Sequence, residues 1–577
     1  TDASIGDYFS VMWHGLPLDF SLAGYLTAIP GFLLIASAWT KSSILRRIRQ
    51  GYFGIIAFVM ACIFIIDLGL YGFWGFRLDA TPIFYFFSSP KDAMASVSFW
   101  FILLGILAML IYAAILYGIF YAVLIREKAP LKIPYQRQYV SLVLLLLTAA
   151  LFIPIRGGFS VSTMNLSKVY YSQNQRMNHA AINPAFSFMY SATHQNNFDK
   201  QYRFMDPKVA DELLTEMLDK PVAVTDSIPQ ILNTQRPNII FIILESFSTH
   251  LMETMGGQPN VAVNMDKFGK EGVLFTNFYA NSFRTDRGLA SIISGYPGQP
   301  STSIMKYPEK TDGLPSIPRS LKNAGYSLEY YYGGDADFTN MRSYLVSSGI
   351  EKIISETDFP LSERPGKWGA PDHTLFQRFL KDLKEEKQQE PFFKIVQTSS
   401  SHEPFEVPFY RLDDKVLNAF AYADSCVGDF VRQYKETPMW KNTLIVLVPD
   451  HLGAYPRPVE NPLEGHTIPL ILIGGAVKEP RVVDTYASQI DIAATLLSQL
   501  GLPHDDFTFS KNIFNPSSPH FGYFTEPTLF GMVTAENQLV YNLDANTVQI
   551  DEGTEKGANL EKGKAFLQKL YDDLAKR

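Results

Sequence analysis

The hydrophobic positions of this chain follow two different patterns. In the first part, long apolar segments follow one another at residues 21–40, 51–74, 96–125 and 139–155. Each is close to the ~20 residues with which an α-helix crosses a bilayer. The last is short enough for a buried soluble helix, but its Leu-rich run favours a span. We therefore predict a transmembrane domain at residues 1–155 with four spans.

The basic residues of the short loops predict how these spans are oriented. The loops after the first and third spans are rich in Lys and Arg, namely Lys41, Arg46, Arg47 and Arg49, and Arg126, Lys128, Lys132 and Arg137. Because such loops stay in the cytoplasm, residues 156–577 and the N-terminus are predicted to lie outside. An outside N-terminus leads us to expect a further, fifth span ahead of Thr1 in the native protein. Asp67 lies inside a span, where it marks an ion path or is hydrogen-bonded within the bundle.

The second part of the chain has the pattern of a soluble α/β protein. Residues 156–236 are polar and patchily helical, and we predict a helical linker along the membrane surface. From residue 237 onward, apolar β-type runs alternate with helical patterns, which predicts a mostly parallel sheet between helices. The predicted strands are 238–244, 273–279, 327–332, 392–398, 443–449 and 468–474, and the helices 286–294, 316–324, 339–348, 372–387, 414–436, 487–500 and 561–576. Short strands at about 520–550 are expected to add an antiparallel edge.

Charge and cysteine content exclude two classes of protein. The net charge of −7 and the pI near 5.9 argue against nucleic acid as a partner. The two cysteines, Cys62 and Cys426, lie in different parts of the chain and are not expected to pair, so the outer part is not a disulfide scaffold.

Residues of the types that bind metal ions follow two of the predicted strands. The run 238–244 ends on Glu245, and the run 443–449 ends on Asp450 and His451. Open α/β sheets bind their ligands at the carboxyl ends of their strands. A single carboxylate there is usually a solvated residue, but two strands that deliver Glu, Asp and His to one rim predict a divalent-cation site.

Four further residues stand at the ends of predicted elements. Thr285 precedes the helix 286–294, where a hydroxyl is usually an N-cap; a helix N-terminus also favours phosphate, and a metal-bound Thr can be a nucleophile. His402 follows a strand, His466 opens one, and Arg342 lies in a loop-to-helix segment. Each alone is more often structural than functional. Their shared position at the ends of successive elements suggests one phosphate-handling site.

The motifs taken together resemble one family. Residues 237 to about 545 are similar to the lipoteichoic acid synthases of the alkaline phosphatase/sulfatase superfamily. The matching stretches are NIIFIILES, FRTDRGLASIISGYP, KWGAPDHTLF, TSSSHEPF, VPDHLG, HTIPLIL and SQIDIAATLL, and GLPLDFSLAGYL in the membrane part. The resemblance implies an extracytoplasmic sulfatase-like catalytic domain at 237–577, anchored in the inner membrane of a bacterium.

The resemblance also implies roles for individual residues. Glu245, Thr285, Asp450 and His451 would bind one divalent metal, Mn²⁺ before Mg²⁺ or Zn²⁺, with Thr285 as the nucleophile. Three further residues would hold the phosphoryl group or the acceptor or carry the proton, namely Arg342, His402 and His466.

The chain departs from this family at two positions. The synthases have a substrate-contacting His two residues before the metal-binding Glu, where this chain has Ile243. They also have a Ser a few residues after the Asp-His pair. At that place this chain has the sequence LGAY, whose last residue is Tyr455. His466 before IPL is instead similar to a His of lipid A phosphoethanolamine transferases. The nucleophile segment does not match the C/S-x-P-x-R motif of sulfatases.

The predicted function is transfer of a phospholipid head group, phosphoglycerol or phosphoethanolamine, through a phospho-threonine to a glycan or glycolipid acceptor. Two alternatives remain open at this point. One is a phosphodiesterase, phosphatase or sulfatase-type hydrolase of the same fold. The other is a membrane sensor or transporter with a degenerate outer domain, although the intact Glu/Thr/Asp/His set argues against it.

Overall fold

The chain forms two compact units, Thr1–Asn196 and Asn197–Arg577. The computed structural model describes residues 4–40, 43–74, 77–78, 99–126, 136–172, 174–193, 197–385, 388–453, 455–456 and 461–577. Lys41, Lys128 and Lys132 of the predicted basic loops lie outside these residues. The predicted linker 156–236 is divided between the two units, and its placement at a membrane surface stays a prediction.

The first unit consists of helices. They are α1 Ile5–Ser37, α2 Ser43–Trp74, α3 Phe99–Phe120, α4 Arg137–Ala150, α5 Phe152–Arg156, α6 Gln175–Ala181 and α7 Pro184–Thr193. A π-helical turn extends α3 to Ile125. Four stretches are long and apolar enough to cross a membrane and coincide with the predicted spans, namely Ile5–Ser37, Ser43–Tyr71, Trp100–Ile125 and Arg137–Arg156.

Asp67 in α2 is buried and hydrogen-bonded. Its Oδ2 accepts from Arg77 at 2.6 Å and its Oδ1 from the backbone N–H of Leu78 at 2.7 Å. An ion pair with good hydrogen bonds offsets the desolvation of a buried carboxylate. Of the two interpretations of Asp67, the structure favours a residue bonded within the helical unit.

The second unit is built on an eight-stranded sheet in the order β5-β4-β6-β1-β7-β8-β2-β9. Its strands are β1 Asn238–Leu244, β2 Val273–Phe275, β4 Ser327–Tyr332, β5 Lys352–Ile354, β6 Phe392–Gln397, β7 Thr443–Pro449, β8 Leu470–Ile473 and β9 Arg481–Val483. β8 runs antiparallel to both of its neighbours, while the other neighbouring pairs are parallel. The predicted mostly parallel sheet is therefore confirmed.

The remaining strands correct one expectation. The late strands do not add an edge to the main sheet but form a separate antiparallel sheet, β11 Gly522–Glu526, β12 Leu529–Val533, β13 Asn537–Asn542 and β14 Thr547–Gly553. Two short strands, β3 Phe278–Tyr279 and β10 Ala487–Ser488, pair separately. The predicted strand 273–279 is therefore split between two sheets, and the predicted helix 487–500 begins instead with β10. The segment 520–550 was correctly predicted as short strands, but a local pattern does not encode which strands pair.

Helices connect the strands of the second unit. They are α8 Pro207–Met217, α9 Val263–Glu271, α10 Thr285–Ser294, α11 Pro308–Thr311, α12 Ile317–Asn323, α13 Met341–Ser347, α14 Asp372–Glu385, α15 Lys415–Tyr434, α16 Pro462–Gly465, α17 Ile492–Gln499 and α18 Leu560–Lys576. The predicted helices correspond to α10, α12, α13, α14, α15, α17 and α18, and α8 lies in the predicted helical linker. The helices α9, α11 and α16 were missed.

The main sheet is covered on both faces. Along β1, Ile239, Phe241 and Ile243 pack into one hydrophobic cluster, and Ile240 and Ile242 pack into another on the opposite face. All seven residues of β1 are buried. This explains why β1 is continuously apolar rather than alternating, as is typical of a central parallel strand.

Candidate active site

Two neighbouring parallel strands bring the predicted carboxylates side by side. β1 and β7 pair in register from Asn238 and Thr443 to Leu244 and Pro449. The next residue of each strand is Glu245 and Asp450, so both follow at the same edge of the sheet. The backbone N–H of Asp450 donates to Leu244 O at 3.2 Å, which continues the ladder to this point.

Four predicted residues converge at this edge. One donor atom each of Glu245, Asp450 and His451 lies within 4.8 Å of the other two. His451 Nε2 lies 3.7 Å from Glu245 Oε1 and 3.5 Å from Asp450 Oδ2. The Thr285 hydroxyl lies 3.4 Å from both Glu245 Oε2 and His451 Nε2. Three oxygen-bearing side chains and one imidazole thus surround one small volume.

Local hydrogen bonds orient these side chains. Asp450 Oδ1 accepts from the backbone N–H groups of Ser246 at 2.9 Å and His451 at 2.8 Å. The Ser246 hydroxyl donates to Glu245 Oε1 at 2.7 Å. Nδ1 of His451 lies 2.8 Å from Leu452 O, so Nδ1 carries the proton and the lone pair of Nε2 faces the cluster. Ser246 has a φ of 58°, an uncommon backbone conformation that suits a constrained site.

Helix α10 presents Thr285 to this cluster. Thr285 is its first residue, so free backbone N–H groups and the helix dipole lie next to the hydroxyl. The helix approaches the strand end closely at Gly288, where a Cβ atom would lie 2.3 Å from Asp450 O. Glycine is therefore needed for Thr285 to reach the cluster.

The cluster brings two buried carboxylates close together. Glu245 and Asp450 are 4% and 0% exposed, and burial together with the charge of Asp450 raises the pKa of Glu245 well above its ordinary value. Asp450 Oδ2 is buried and has no hydrogen-bond partner among the described residues. Two neighbouring buried carboxylates, one with an oxygen that has no hydrogen-bond partner, are stabilised in their charged forms when a cation binds them. Carboxylate, hydroxyl and imidazole ligands fit Mn²⁺, Mg²⁺ or Zn²⁺.

A cleft adjoins the cluster. Glu245, Thr285, Gln397 and His402 contribute to its wall, as does the aromatic side chain of Trp368. The ring of Trp368 lies 3.9 Å from that of His402, centroid to centroid, and its indole N–H donates to Glu403 O at 2.7 Å. Burial lowers the pKa of His402. Thr285 and His402 therefore line the same cleft.

Arg342 and His466 are engaged elsewhere. Arg342 forms an ion pair with Asp337 at 2.7 Å and donates to the Ser355 hydroxyl at 3.2 Å. Nδ1 of His466 lies 3.0 Å from Ala280 O, and its Nε2 lies 3.1 Å from Glu526 Oε1. In this arrangement His466 anchors the chain that leads to Thr285. A substrate contact of His466 would require one of its two ring bonds to break, whereas the Arg342 guanidinium has five N–H donors and can keep both of its bonds. The predicted substrate contacts of both residues stay predictions.

Sequence reasoning missed a residue that holds the His402 loop. Asp372 is completely buried, and its Oδ1 accepts from the backbone N–H groups of Ser399 at 2.9 Å and Ser400 at 3.3 Å. Burial raises the pKa of Asp372 to about 6. Asp372 belongs to the stretch KWGAPDH, which was noted in the sequence, but the sequence did not show its hydrogen-bond partners.

Comparison with known proteins agrees with the α/β fold of the second unit. Residues 237–502 match the sulfatase family model. They form a sulfatase-family domain. The second unit also matches a solved protein of the alkaline phosphatase superfamily from Vibrio parahaemolyticus, with a TM-score of 0.57 and 26% identity over 65% of this chain and 98% of that one. The sulfatase-family domain therefore has the fold of the alkaline phosphatase superfamily.

Two relatives carry names that describe an activity. A lipoteichoic acid synthase-like protein of Bacillus subtilis, YvgJ, is 23% identical over 48% of this chain and 50% of its own length. Phosphoglycerol transferase I of Xanthomonas campestris is 24% identical over 51% of this chain and 45% of its own length. The chain thus spans about half the length of these relatives.

Proposed function

We propose that this protein is a metal-dependent phospholipid head-group transferase with Thr285 as its nucleophile. The head group would be phosphoglycerol, and the acceptor a hydroxyl of a glycan or glycolipid outside the cytoplasm. The name of the Xanthomonas campestris relative, phosphoglycerol transferase I, supports phosphoglycerol. The four apolar helices support a lipid donor, because they would hold the sulfatase-family domain at a bilayer.

One observation carries the proposal. The Thr285 hydroxyl lies 3.4 Å from both Glu245 Oε2 and His451 Nε2, next to the buried Asp450 Oδ2, which has no hydrogen-bond partner among the described residues. A divalent ion bound by these groups would favour the alkoxide of Thr285 and stabilise negative charge on the phosphoryl oxygens. A Thr with an ordinary structural role would instead cap its helix, but at α10 the N-cap residue is Arg284.

The proposed reaction consists of two successive transfers of the phosphoryl group, first to Thr285 and then to the acceptor. In the first, Thr285, already deprotonated to its alkoxide, forms a bond from Oγ1 to phosphorus, and the bond from phosphorus to the diacylglycerol oxygen breaks. The departing alkoxide takes a proton, for which His402 is the candidate donor. In the second, the acceptor hydroxyl gives its proton to neutral His402 and attacks the same phosphorus, which releases Thr285. The lowered pKa of His402 favours the neutral form that the second transfer needs.

Intact-mass analysis of the full-length protein tests the proposal. The detergent-solubilised protein with Mn²⁺ is mixed with phosphatidylglycerol and, separately, phosphatidylethanolamine, with no acceptor present. We expect diacylglycerol release and an added mass of one phosphoglycerol on the peptide that contains Thr285. An adduct from phosphatidylethanolamine alone would identify phosphoethanolamine as the head group.

Thr285→Ala and Thr285→Ser serve as controls. The Ala variant should form no adduct, whereas the Ser variant keeps a hydroxyl and should form one more slowly. Steady release of glycerol phosphate to water, unaffected by any acceptor, would identify a hydrolase. Absence of both diacylglycerol release and an adduct would refute the proposal.

A further inference from the structure

Gln397 has a buried amide nitrogen without a partner. It is the last residue of β6 and is 0% exposed. The hydroxyl of Tyr330 donates a hydrogen bond to its Oε1, whereas its Nε2 has no partner among the described residues. Tyr330 therefore holds the amide in place and leaves both N–H donors of Nε2 unused.

Such a nitrogen indicates a ligand because of its energetic cost. A buried donor without a partner is unfavourable, and nearly all buried polar groups of native proteins are paired. The side chain that carries this one lines the cleft that Thr285 and Glu245 also line. A ligand in the cleft would satisfy the donor that the protein leaves unpaired.

The register of the sheet places Gln397 near the reacting groups. Gln397 pairs with Ile243 of the parallel strand β1, two residues before Glu245. With strands ~4.8 Å apart and ~6.6 Å for two residues along a strand, the Cα atoms of Gln397 and Glu245 are separated by about 8 Å. A glutamine side chain that extends into the cleft covers much of that distance. Ile243, its neighbour, is fully buried and offers no donor.

The groups that line the cleft determine which kind of ligand atom Gln397 can bind. An amide N–H needs an oxygen acceptor, and the carboxylates of the cluster are directed at one another and at His451. Arg342, the predicted cation for phosphoryl oxygens, is paired with Asp337 and Ser355. We propose that Gln397 donates a hydrogen bond to a non-bridging oxygen of the phosphoryl group held at Thr285. This role rests on the proposed function, and it makes Gln397 a substrate-binding residue.

Binding of inorganic phosphate tests this role independently of turnover. Full-length protein in detergent with Mn²⁺ is unfolded by heat with and without phosphate, and phosphate inhibition of head-group transfer is measured in parallel. Wild-type protein should gain thermal stability from phosphate. Gln397→Met keeps the shape but loses the donor, so phosphate should bind about 10- to 100-fold more weakly. The ratio kcat/KM should fall by a similar factor, with Mn²⁺ content unchanged.

Two further variants separate binding from a structural role. Gln397→Glu keeps an acceptor for Tyr330 but replaces the donor by a negative charge, so this variant should show no stabilisation by phosphate. If the Met variant fails to fold, the Glu variant tests the inference alone. Gln499→Met is the matched control, because Gln499 is a buried glutamine that bonds Ile231 and Pro229 with both amide atoms. It should lower the melting temperature and leave phosphate binding unchanged.

Two outcomes would overturn the inference. One is an unchanged phosphate response in a folded Gln397→Glu or Gln397→Met protein; the other is wild-type protein that gains no stability from phosphate. The proposed function fails separately, if wild-type protein binds phosphate in a Gln397-dependent way but releases no diacylglycerol from any phospholipid.

Discussion

The hydroxyl of Thr285 lies 3.4 Å from Nε2 of His451, although 166 residues separate them in the chain. One residue begins a helix and the other follows a strand, and both positions are set by the parallel sheet between them. Because of this contact, Thr285 and His451 are candidates for one reaction centre. It also defines which substitutions distinguish a metal-dependent site from a structural one.

Replacing Asp450 by Asn should have opposite effects with and without metal. The Asn side chain keeps an acceptor for the N–H groups of Ser246 and His451 and removes one of two buried like charges. Without metal, the melting temperature of Asp450→Asn should therefore exceed that of wild type after treatment with a chelator. Mn²⁺ at 100 times its Kd should stabilise wild type by about 2.7 kcal/mol and the variant hardly at all.

Asp266→Asn is the control for this experiment. Asp266 is also buried but accepts from the backbone N–H groups of Glu253 and Thr254, and it is not part of the cluster. Its substitution should leave the Mn²⁺ response intact. An Asp450→Asn protein that Mn²⁺ stabilises as much as wild type would contradict metal binding by this carboxylate.

Removal of the His402 side chain should lower the reaction rate most for substrates with poor leaving groups. If His402 protonates the departing alkoxide, His402→Asn should lower kcat by about 10²- to 10⁴-fold for a phospholipid. A phosphodiester that releases p-nitrophenolate needs no such proton, so the loss should be much smaller. The first transfer should also slow as pH rises through the lowered pKa of His402, below its ordinary value of 6.5.

His250→Asn provides the matched control for His402, because His250 bonds the backbone oxygen of Glu464 and does not line the cleft among the described residues. It should behave as wild type with both substrates. Equal losses for both leaving groups in His402→Asn would show that His402 binds the substrate rather than donating the proton.

Asp372 should make stability depend on pH. Its pKa is about 6 in the folded protein against 3.8 for the free group, so the folded chain retains a proton that the unfolded chain loses between these values. The stabilising effect of that proton is complete below pH 3.8 and is lost as pH rises through 6. The shift of 2.2 units corresponds to about 3 kcal/mol.

Asp372→Asn removes this titration but keeps an acceptor for Ser399 and Ser400. Relative to wild type, the melting temperature of the variant should therefore rise between pH 4 and pH 7. Thermal unfolding of both proteins across this range checks the prediction. Two melting curves that shift in parallel with pH would show that Asp372 has an ordinary pKa.

A methyl group at Gly288 should separate Thr285 from the metal cluster. The added Cβ would lie 2.3 Å from Asp450 O, so helix α10 must move away from β7. Overpacking of this kind costs about 1–3 kcal/mol, and head-group transfer and Mn²⁺ affinity should both fall. At Gly366 a Cβ meets nothing within 4 Å, and Gly366→Ala should leave both properties unchanged. Normal transfer by Gly288→Ala would show that the close approach is not needed.

Much of the fold was predictable because local patterns encode it. The continuous apolar run of β1 predicted a buried parallel strand, and the four long apolar segments predicted the four long helices. Strand ends were also predictable, so Glu245, Asp450 and His451 could be assigned to one rim. The segment 520–550 was misjudged, since alternation reveals a strand but not its partner.

The sequence by itself determined the elements and the residue types at their ends, because periodicity and polarity are local properties. Only the tertiary structure decided which side chains face one another across the sheet. It paired Arg342 with Asp337, placed His466 against Glu526, and left the amide nitrogen of Gln397 unpaired in the cleft. These contacts depend on strand order and register, which are set by packing between residues far apart in the chain.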